Sequence, residues 1–213
     1  MAVSLPSARH RGRVCAIPGV LDVWRIDLSR RTNDGLAELL CAQEHVRAER
    51  IVDARRRVLW ARSRGVLRAL LARYLDADPR ELRFELGAYG KPMLRSEPRE
   101  TCQDNGSGAG EDLCFSLSHS GELMLLAVTD GREVGVDVER ARGRYTAEFL
   151  HTWTMREATV KCLGSGLTSA PIASEGAPDG MWTAELDVGP RAFAAIAVEG
   201  GEECKLRPGE WPD

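Results

Sequence analysis

Hydrophobic and polar positions alternate most regularly in the stretch from Val134 to Glu139. Valine at every second position alternates with Gly135, Asp137 and Glu139, a period of two that predicts a strand with one buried face. Side chains two residues apart project from the same face of a strand, so the two carboxylates lie together and Gly135 leaves room beside them. Neighbouring like charges repel unless a cation lies between them or one carboxyl takes a proton. The pattern therefore predicts a metal site on this strand.

The spacing of apolar residues along the rest of the chain predicts a mixture of helices and strands. Apolar residues at helical spacing predict a helix from about residue 35 into the forties, a long helix over 53–75 and a helix from Thr146 to Gly164. Alternating apolar and polar residues predict strands at 24–28, 82–86, 113–117, 123–128, 133–139, 182–188 and 193–198. We expect Asp130-Gly131 to turn the strand 123–128 back on the strand 133–139 as a hairpin.

This order of elements predicts an α+β protein of two similar α/β halves. The stretch 101–112 is polar and rich in glycine and serine, which is typical of a linker. The expected organisation is a flexible leader over 1–19, an N-terminal half over 20–100, that linker, a C-terminal half over 113–200 and a tail over 201–213.

Composition and charge narrow the class of protein. The net charge of −3 excludes a uniformly basic nucleic-acid binder. The six cysteines are scattered without a C-x-x-C pair, which argues against a zinc cluster and against a small disulfide-linked scaffold. No apolar run approaches the roughly 18 to 20 residues needed to cross a bilayer. We expect a soluble cytoplasmic protein that associates with no membrane.

The segment from Arg47 to Arg73 holds nine arginines and no lysine. Guanidinium groups favour two-pronged contacts with phosphate-like groups, and Arg64 and Arg68 lie one helical turn apart, where they can act together. A solvated outer face is the alternative interpretation of the segment. A nucleic-acid surface is a further alternative, which predicts steeply salt-dependent binding, but the net charge and the lack of interleaved aromatic residues argue against it.

A third carboxylate lies on the predicted helix that starts near Thr146. Glu157 and Lys161 are four residues apart and share a face, a pattern that is by itself most often an ordinary surface ion pair worth about 0.3 to 0.5 kcal/mol. Together with Asp137 and Glu139, Glu157 completes a set of oxygen ligands that suits Mg²⁺ on a substrate phosphate. The predicted chemistry is attack on a phosphate ester or pyrophosphate, with a carboxylate as the candidate base.

Several short motifs resemble the Sfp-type 4′-phosphopantetheinyl transferases and occur in the order found in that family. They are Gly90-Lys91-Pro92, Phe115-Ser116-Leu117-Ser118-His119-Ser120-Gly121, Gly135-Val136-Asp137-Val138-Glu139, Trp153-Thr154-Met155-Arg156-Glu157-Ala158 with Lys161, and Gly164-Ser165-Gly166-Leu167. The resemblance covers roughly residues 20 to 200. It implies a pseudo-two-fold pair of α/β halves, with coenzyme A bound in the cleft between them.

The resemblance also implies a reaction and roles for residues. The enzyme would transfer 4′-phosphopantetheine from coenzyme A to a serine of an acyl- or peptidyl-carrier protein and release adenosine 3′,5′-bisphosphate. Asp137, Glu139 and Glu157 would bind Mg²⁺, with Mn²⁺ as the alternative ion, and Glu157 would also be the base. Lys161 would neutralise the pyrophosphate. The side chains implied for coenzyme binding are Arg64, Lys91, Ser118, His119 and Lys161. Without the surrounding motif, the favoured interpretation of His119 would be a turn histidine that is hydrogen-bonded to the backbone.

The chain departs from the family at two places. Arg156 stands where lysine is usual, and only thirteen residues (140–152) separate Glu139 from Trp153, where the family usually carries a longer segment. A shorter segment would change the position of Glu157 relative to the metal, and it would change the surface that recognises the carrier. A non-catalytic coenzyme A-binding or carrier-binding relative is therefore the alternative function. The carrier would belong to a polyketide, non-ribosomal peptide or fatty-acid synthase, and a monomer is expected because one chain supplies both halves of the cleft.

Overall fold

The computed structural model describes residues 3–4, 14–17, 19–95, 113–141, 143, 145–165 and 178–211. Within these residues the helices are a 3₁₀ helix over Arg31–Leu39 and the α-helices α1 (Ala42–Glu49), α2 (Ala54–Leu75) and α3 (Ala147–Leu163). The strands are β1 (Val3–Ser4), β2 (Val20–Asp27), β3 (Phe84–Leu86), β4 (Pro92–Leu94), β5 (Leu113–Ser120), β6 (Leu123–Asp130), β7 (Val134–Arg140), β8 (Met181–Asp187), β9 (Ala192–Glu199) and β10 (Lys205–Trp211). The predicted α+β class is confirmed.

Two four-stranded sheets and one small hairpin make up the β structure of the described residues. Sheet I has the order β10-β2-β6-β5, sheet II has the order β1-β8-β9-β7, and β3 pairs with β4. Three strands of each sheet share one order along the chain: a first strand, then a long helix, then two further strands. In sheet I these strands are β2, β5 and β6, and in sheet II they are β7, β8 and β9. In both sheets the first of the three pairs with the last, β2 with β6 and β7 with β9. Each sheet also gains a parallel edge strand from the far end of the chain.

The sheets and helices stack as layers around buried apolar clusters. Helix α2 covers one face of sheet I, where Leu67 and Leu70 pack with Trp24 and Ile26. The opposite face of sheet I packs against sheet II, and the three valines of β7 lie in that second core. Helix α3 covers the outer face of sheet II through a smaller cluster around Ala158. None of the helices in the described ranges is long and apolar enough to cross a membrane.

The two long helices lie where the sequence predicts them, and local hydrogen bonds explain where they begin and end. Asp53 caps α2 by accepting a bond from the Arg56 N–H at 2.7 Å, and Thr146 caps α3 by accepting from the Phe149 N–H at 3.2 Å. Gly164 ends α3 in the left-handed conformation, with φ of 61°.

The first helix differs from the prediction. The 3₁₀ helix ends at Leu39, and α1 starts afresh because the Glu44 carboxylate accepts the Cys41 N–H at 3.0 Å.

Strand pairing corrects several local expectations. The prediction that β6 and β7 form a hairpin is wrong, because β7 pairs with β9 and its valines lie in the core between the sheets. Ser118 to Ser120 continue strand β5 rather than form a turn. Strands β5 and β6 join β2 in sheet I, so sheet I includes strands from both sides of the expected linker, which itself lies outside the described residues.

Both ends of the chain contribute strands where a leader and a tail were expected. Lys205–Trp211 forms β10 and pairs with β2 along its whole length. Near the other end, Val3–Ser4 pairs with β8, and Val14 is buried in the core under α2. These pairings join residues far apart in sequence, which local periodicity does not encode.

Candidate active site

Strand β7 and helix α3 approach each other closely at Gly135. A Cβ atom at this position would lie 1.9 Å from the Ala158 carbonyl oxygen and 2.4 Å from the Cys162 nitrogen. Only glycine permits this contact. The space that the sequence assigned to a cation beside Gly135 is therefore filled by the helix backbone, and the contact brings α3 side chains next to Asp137.

Asp137 is a buried carboxylate with one satisfied and one unsatisfied oxygen. Its side chain accepts bonds at Oδ1 from Lys161 Nζ (2.6 Å) and from Ser118 Oγ (2.8 Å). Oδ2 is buried and has no hydrogen-bond partner among the described residues, and the whole residue is 4% exposed. A buried carboxylate oxygen without a partner is costly unless a cation or a proton meets it. Asp137 therefore has the capacity to bind one more positive group.

Three serines of β5 bind the edge of β7 and form a serine ladder (Ser116, Ser118, Ser120). Their hydroxyl oxygens accept the N–H groups of Val136 at 3.1 Å, Val138 at 3.3 Å and Arg140 at 3.0 Å. The ladder joins the edge strands of the two sheets through side chains. It also serves the acids, because Ser118 donates to Asp137 and Ser120 donates to Glu139 Oε2 at 2.9 Å.

Glu157 lies in the electrostatic field of the other two acids. Burial raises the pKa of its carboxyl above the ordinary range, the charge of Lys161 opposes the rise, and the charges of Asp137 and Glu139 add to it. The charges of the three predicted carboxylates therefore act on one another, and their joint binding of a cation stays a prediction.

The fit of these acids to a divalent cation is partial. Oxygen ligands suit Mg²⁺, and the unpartnered Oδ2 of Asp137 is an available ligand. However, no three His, Cys, Asp or Glu side chains in the described ranges are grouped closely enough to hold a metal ion. The acids would have to draw together around the ion, so the metal site stays a prediction.

A cleft of about 920 Å³ opens beside these acids. It lies between α1, α2 and the β3–β4 hairpin on one side and β5 with α3 on the other. Among its lining residues are five of the predicted site residues, which are Arg64, Lys91, His119, Glu157 and Lys161. Ser118, Asp137 and Glu139 are not among the lining residues, and Ser118 instead binds the Asp137 carboxylate.

Arg64 and Arg68 are tied to a shared carboxylate that the sequence did not single out. Glu44 Oε1 accepts from Arg64 at 2.9 and 2.7 Å, and Glu44 Oε2 accepts from Arg68 Nε at 2.7 Å. Burial would raise the pKa of the Glu44 carboxyl, but the Arg68 hydrogen bond and the Arg64 charge outweigh burial and hold it below its usual range. Both guanidinium groups also lie over the Phe84 ring. The available sequence signal was the spacing of Cys41 and Glu44, which resembles a capping box.

Lys91 is also paired. Its side chain is 13% exposed, and its Nζ donates to Glu133 Oε2 at 2.6 Å and to the Val134 carbonyl at 3.0 Å. Three other arginines line the cleft without an ion pair to a described carboxylate: Arg47, Arg80 and Arg83. Arg47 lies over the Trp60 ring at 5.7 Å. Sequence patterns did not distinguish these three from other surface arginines.

Comparison with curated proteins places similar sequences in one family. A 4′-phosphopantetheinyl transferase of Nostoc sp., HetI, is 28% identical, and the match covers 84% of this chain and 87% of the relative. A 4′-phosphopantetheinyl transferase of Bacillus subtilis is 26% identical over 66% of this chain and 68% of its own length. The transferase Sfp of Bacillus subtilis strain 168 is 24% identical over 69% of this chain and 70% of its own length. No family model matches the chain. The curated relatives confirm the resemblance seen in the sequence motifs.

Proposed function

We propose, on the basis of its similarity to the Sfp-type 4′-phosphopantetheinyl transferases, that this chain transfers 4′-phosphopantetheine from coenzyme A to a serine of an acyl- or peptidyl-carrier protein. The serine oxygen bonds to the phosphorus that carries pantetheine, the pyrophosphate bond breaks, and adenosine 3′,5′-bisphosphate leaves. The observation that carries the proposal is a single cleft that holds Lys91, His119, Glu157 and Lys161, with Lys161 bonded to the buried Asp137.

The cleft suits a ligand with several phosphates and an aromatic base. Its volume falls within the range of about 300 to 1,000 Å³ that is usual for small-molecule sites. The guanidinium groups of Arg47, Arg80 and Arg83 have no carboxylate partner among the described residues, so they bind an incoming phosphate without first losing an ion pair. Arg64 and Lys91 hold acids already, and they reach coenzyme phosphates only by sharing or exchanging those partners. Trp60 and Tyr89 offer aromatic surface in the same cleft.

Asp137, Glu139 and Glu157 are the residues that would hold Mg²⁺ or Mn²⁺. The unpartnered Oδ2 of Asp137 and the mutual repulsion of the three acids support this assignment. When bound, the ion would neutralise negative charge on the pyrophosphate.

Glu157 and Lys161 have separate roles in the proposed transfer. Glu157 accepts the proton of the serine hydroxyl at its carboxylate, and burial, which raises its pKa, makes it a stronger base than an exposed glutamate. Lys161 holds Asp137 in place and provides positive charge at the cleft wall, where the departing phosphate gains charge.

The repeated connectivity of the two sheets supports the pseudo-two-fold relation implied by the family. In each unit a strand, a long helix and two further strands follow in the same order, with the first strand paired to the last. The cleft lies where the two units meet, so one chain supplies both of its walls.

Intact-mass measurement tests the transfer directly. The protein is incubated with coenzyme A, Mg²⁺ and a panel of apo acyl- and peptidyl-carrier domains, with a reaction lacking Mg²⁺ as control. We expect one phosphopantetheinyl mass gain on at least one carrier, dependent on the metal. No mass gain on any carrier, with the circular dichroism spectrum of the enzyme intact, would falsify the proposal.

Non-catalytic binding of coenzyme A is the second candidate. The bond from Lys161 to Asp137 and the separation of the carboxylates favour it, because neither is the arrangement of a preformed metal site. Calorimetry that shows coenzyme A binding of equal affinity with and without Mg²⁺, together with no transfer, would select this function.

A further inference from the structure

The ammonium group of Lys161 is already paired with the Asp137 carboxylate. Lys161 Nζ donates to Asp137 Oδ1 at 2.6 Å and to the Val136 carbonyl at 3.3 Å. The Asp137 side chain is only 5% exposed, so little water weakens the attraction between the two charges. Any further cation that binds Asp137 must therefore share this carboxylate with Lys161 or displace the lysine.

Lys161 also acts on a second acid of the proposed metal site. Glu157 lies one helical turn before Lys161 on α3, and both side chains line the cleft. Burial raises the pKa of the Glu157 carboxyl, and the charge of Lys161 opposes that rise more strongly than the charge of Arg156 does. One ammonium group thus balances the negative charge of two acids.

The Lys161 side chain is able to leave Asp137. It is 28% exposed and lines the cleft, and a lysine carries its charge on a flexible stem of four carbons. Ser118 Oγ donates to the same Oδ1 atom at 2.8 Å, so Asp137 keeps one hydrogen bond when the ammonium group departs. The other carboxylate oxygen, Oδ2, has no partner among the described residues and is available as a ligand.

A divalent ion that entered without an anion would meet Lys161 as a like charge. Two neighbouring positive groups repel each other, and a displaced ammonium group needs a new anionic partner. A phosphate in the cleft meets both needs, because its oxygens accept bonds from Lys161 and its charge offsets that of the ion. The ion pair therefore opposes the entry of a metal ion alone and permits entry together with a phosphate.

We propose that Lys161 is a displaceable counter-ion, which makes the acids bind a divalent ion more tightly with a phosphate ligand than alone. The proposal rests on the proposed function, since it concerns Asp137, Glu139 and Glu157 and the phosphates of the coenzyme. Lys161 exchanges the Asp137 carboxylate for a phosphate oxygen, which frees the carboxylate for the ion. Metal and coenzyme then increase each other's affinity by the same factor.

The test measures Mn²⁺ binding from the electron paramagnetic resonance signal of the unbound ion, with and without coenzyme A and with no carrier present. A titration of coenzyme A without protein corrects for Mn²⁺ that the coenzyme binds in solution. Lys161→Met removes the charge, Lys161→Arg keeps it, and Lys205→Met removes an exposed lysine on β10 as the matched control.

The largest difference is expected without coenzyme A. Lys161→Met should then bind Mn²⁺ about tenfold or more tighter than the wild type, because no tethered cation competes for Asp137. Lys161→Arg and Lys205→Met should stay within about threefold of the wild type. With coenzyme A the advantage of Lys161→Met should disappear, because Lys161 of the wild type has moved to a phosphate.

The outcomes separate this proposal from the proposed function. Equal Mn²⁺ binding by Lys161→Met and the wild type without coenzyme A overturns the counter-ion role, and so does an equal gain in Lys205→Met. Absence of Mn²⁺ binding from every protein, even with coenzyme A, overturns it together with the metal assignment. If circular dichroism shows that Lys161→Met is unfolded, Lys161→Gln carries the same prediction. A gain in Lys161→Met without any carrier modification by the wild type supports the counter-ion and overturns the transferase function.

Discussion

Two buried aspartates occupy corresponding places in the two sheet-helix units, and their surroundings differ. Asp22 lies on β2, facing α2, and Asp137 lies on β7, facing α3; they are 3% and 4% exposed. Both oxygens of Asp22 are used, because Arg207 binds each of them and the Tyr74 hydroxyl donates to Oδ2 at 2.6 Å. Asp137 uses Oδ1 alone.

The difference separates a structural carboxylate from a candidate functional one. Asp22 binds the guanidinium of β10 and the hydroxyl of α2, so it fastens the last strand and the long helix to the centre of sheet I. At the corresponding position of sheet II, Asp137 Oδ2 has no hydrogen-bond partner among the described residues, and the neighbouring helix carries Glu157 and Lys161. An unsatisfied buried acid lowers stability and is retained where a ligand completes it.

The largest effect expected is on transfer in Asp137→Asn. The amide keeps an oxygen for Lys161 and Ser118, but it removes the negative charge that an ion would need. We expect carrier modification to fall about a thousandfold or more. The free energy of unfolding should change by less than about 1 kcal/mol, because relief of the repulsion between Asp137 and Glu157 offsets the loss of the Lys161 ion pair. Intact-mass kinetics and urea denaturation measure the two quantities. Transfer within tenfold of the wild type would contradict the proposed role.

The reverse outcome is expected for Asp22→Asn. Removing one partner of a buried ion pair costs about 3 to 5 kcal/mol, and the value here should be about 2 to 3 kcal/mol because the Arg207 side chain is 27% exposed. Urea denaturation should show this loss, while transfer per folded molecule stays within about threefold of the wild type. Tyr74→Phe removes the hydroxyl that donates to Asp22 and accepts the Trp24 indole N–H at 2.7 Å, so it should lose about 1 to 3 kcal/mol while transfer per folded molecule is unchanged. A thousandfold loss of transfer in Asp22→Asn would remove the contrast between the two acids.

A smaller effect is expected for Lys161→Met, which keeps the length of the side chain. We expect turnover to fall about thirtyfold, or about 2 kcal/mol, because both the Asp137 partner and the positive charge at the cleft wall are lost. Lys205→Met, at an exposed position on β10, is the control in the same steady-state assay. A fall of less than about fivefold would make Lys161 an ordinary ion-pair residue.

Glu44→Gln is expected to lower stability by an amount that depends on pH. Glutamine keeps an acceptor for one arginine, but it leaves two guanidinium groups without their charged partner, and the Arg68 side chain is 2% exposed, so the loss of stability at pH 7 should be about 3 kcal/mol. Because the folded pKa of Glu44 lies below its unfolded value, its stabilisation is present above about pH 4.3 and is lost as the pH falls through the folded pKa. Urea denaturation at pH 7 and pH 3.5 should therefore show the two proteins converging in acid. A constant difference would assign the effect to packing.

Local patterns in the sequence anticipated the parts of the molecule that depend on local structure. The valine alternation predicted β7, the helical spacing of apolar residues predicted α2, and Thr146 and Gly164 predicted the ends of α3. The ordered motifs included Lys91, His119, Glu157 and Lys161, which line the cleft.

Partners distant in sequence were not predictable in this way. No periodic signal pairs β10 with β2, links Ser118 to Asp137, or gives Arg64 and Arg68 a shared acid at Glu44. Asp22 and Arg207 are an ion pair across 185 positions. These contacts depend on how the sheets assemble, and the predicted tail and hairpin were wrong for the same reason.

The serine ladder gives β5 an unusual intolerance of insertions and deletions. Its serines recur at every second residue and bind β7, while Leu117 and His119 between them line the cleft, to which Ser116 also contributes. Adding or removing one residue within this strand would exchange the two sets, sending hydroxyls to the cleft and a leucine and a histidine to the edge of β7. A length change would thus break the hydrogen bonds between the two edge strands and reshape the cleft in one event. Variation among natural or engineered versions of this chain should therefore substitute residues of β5 but preserve its length.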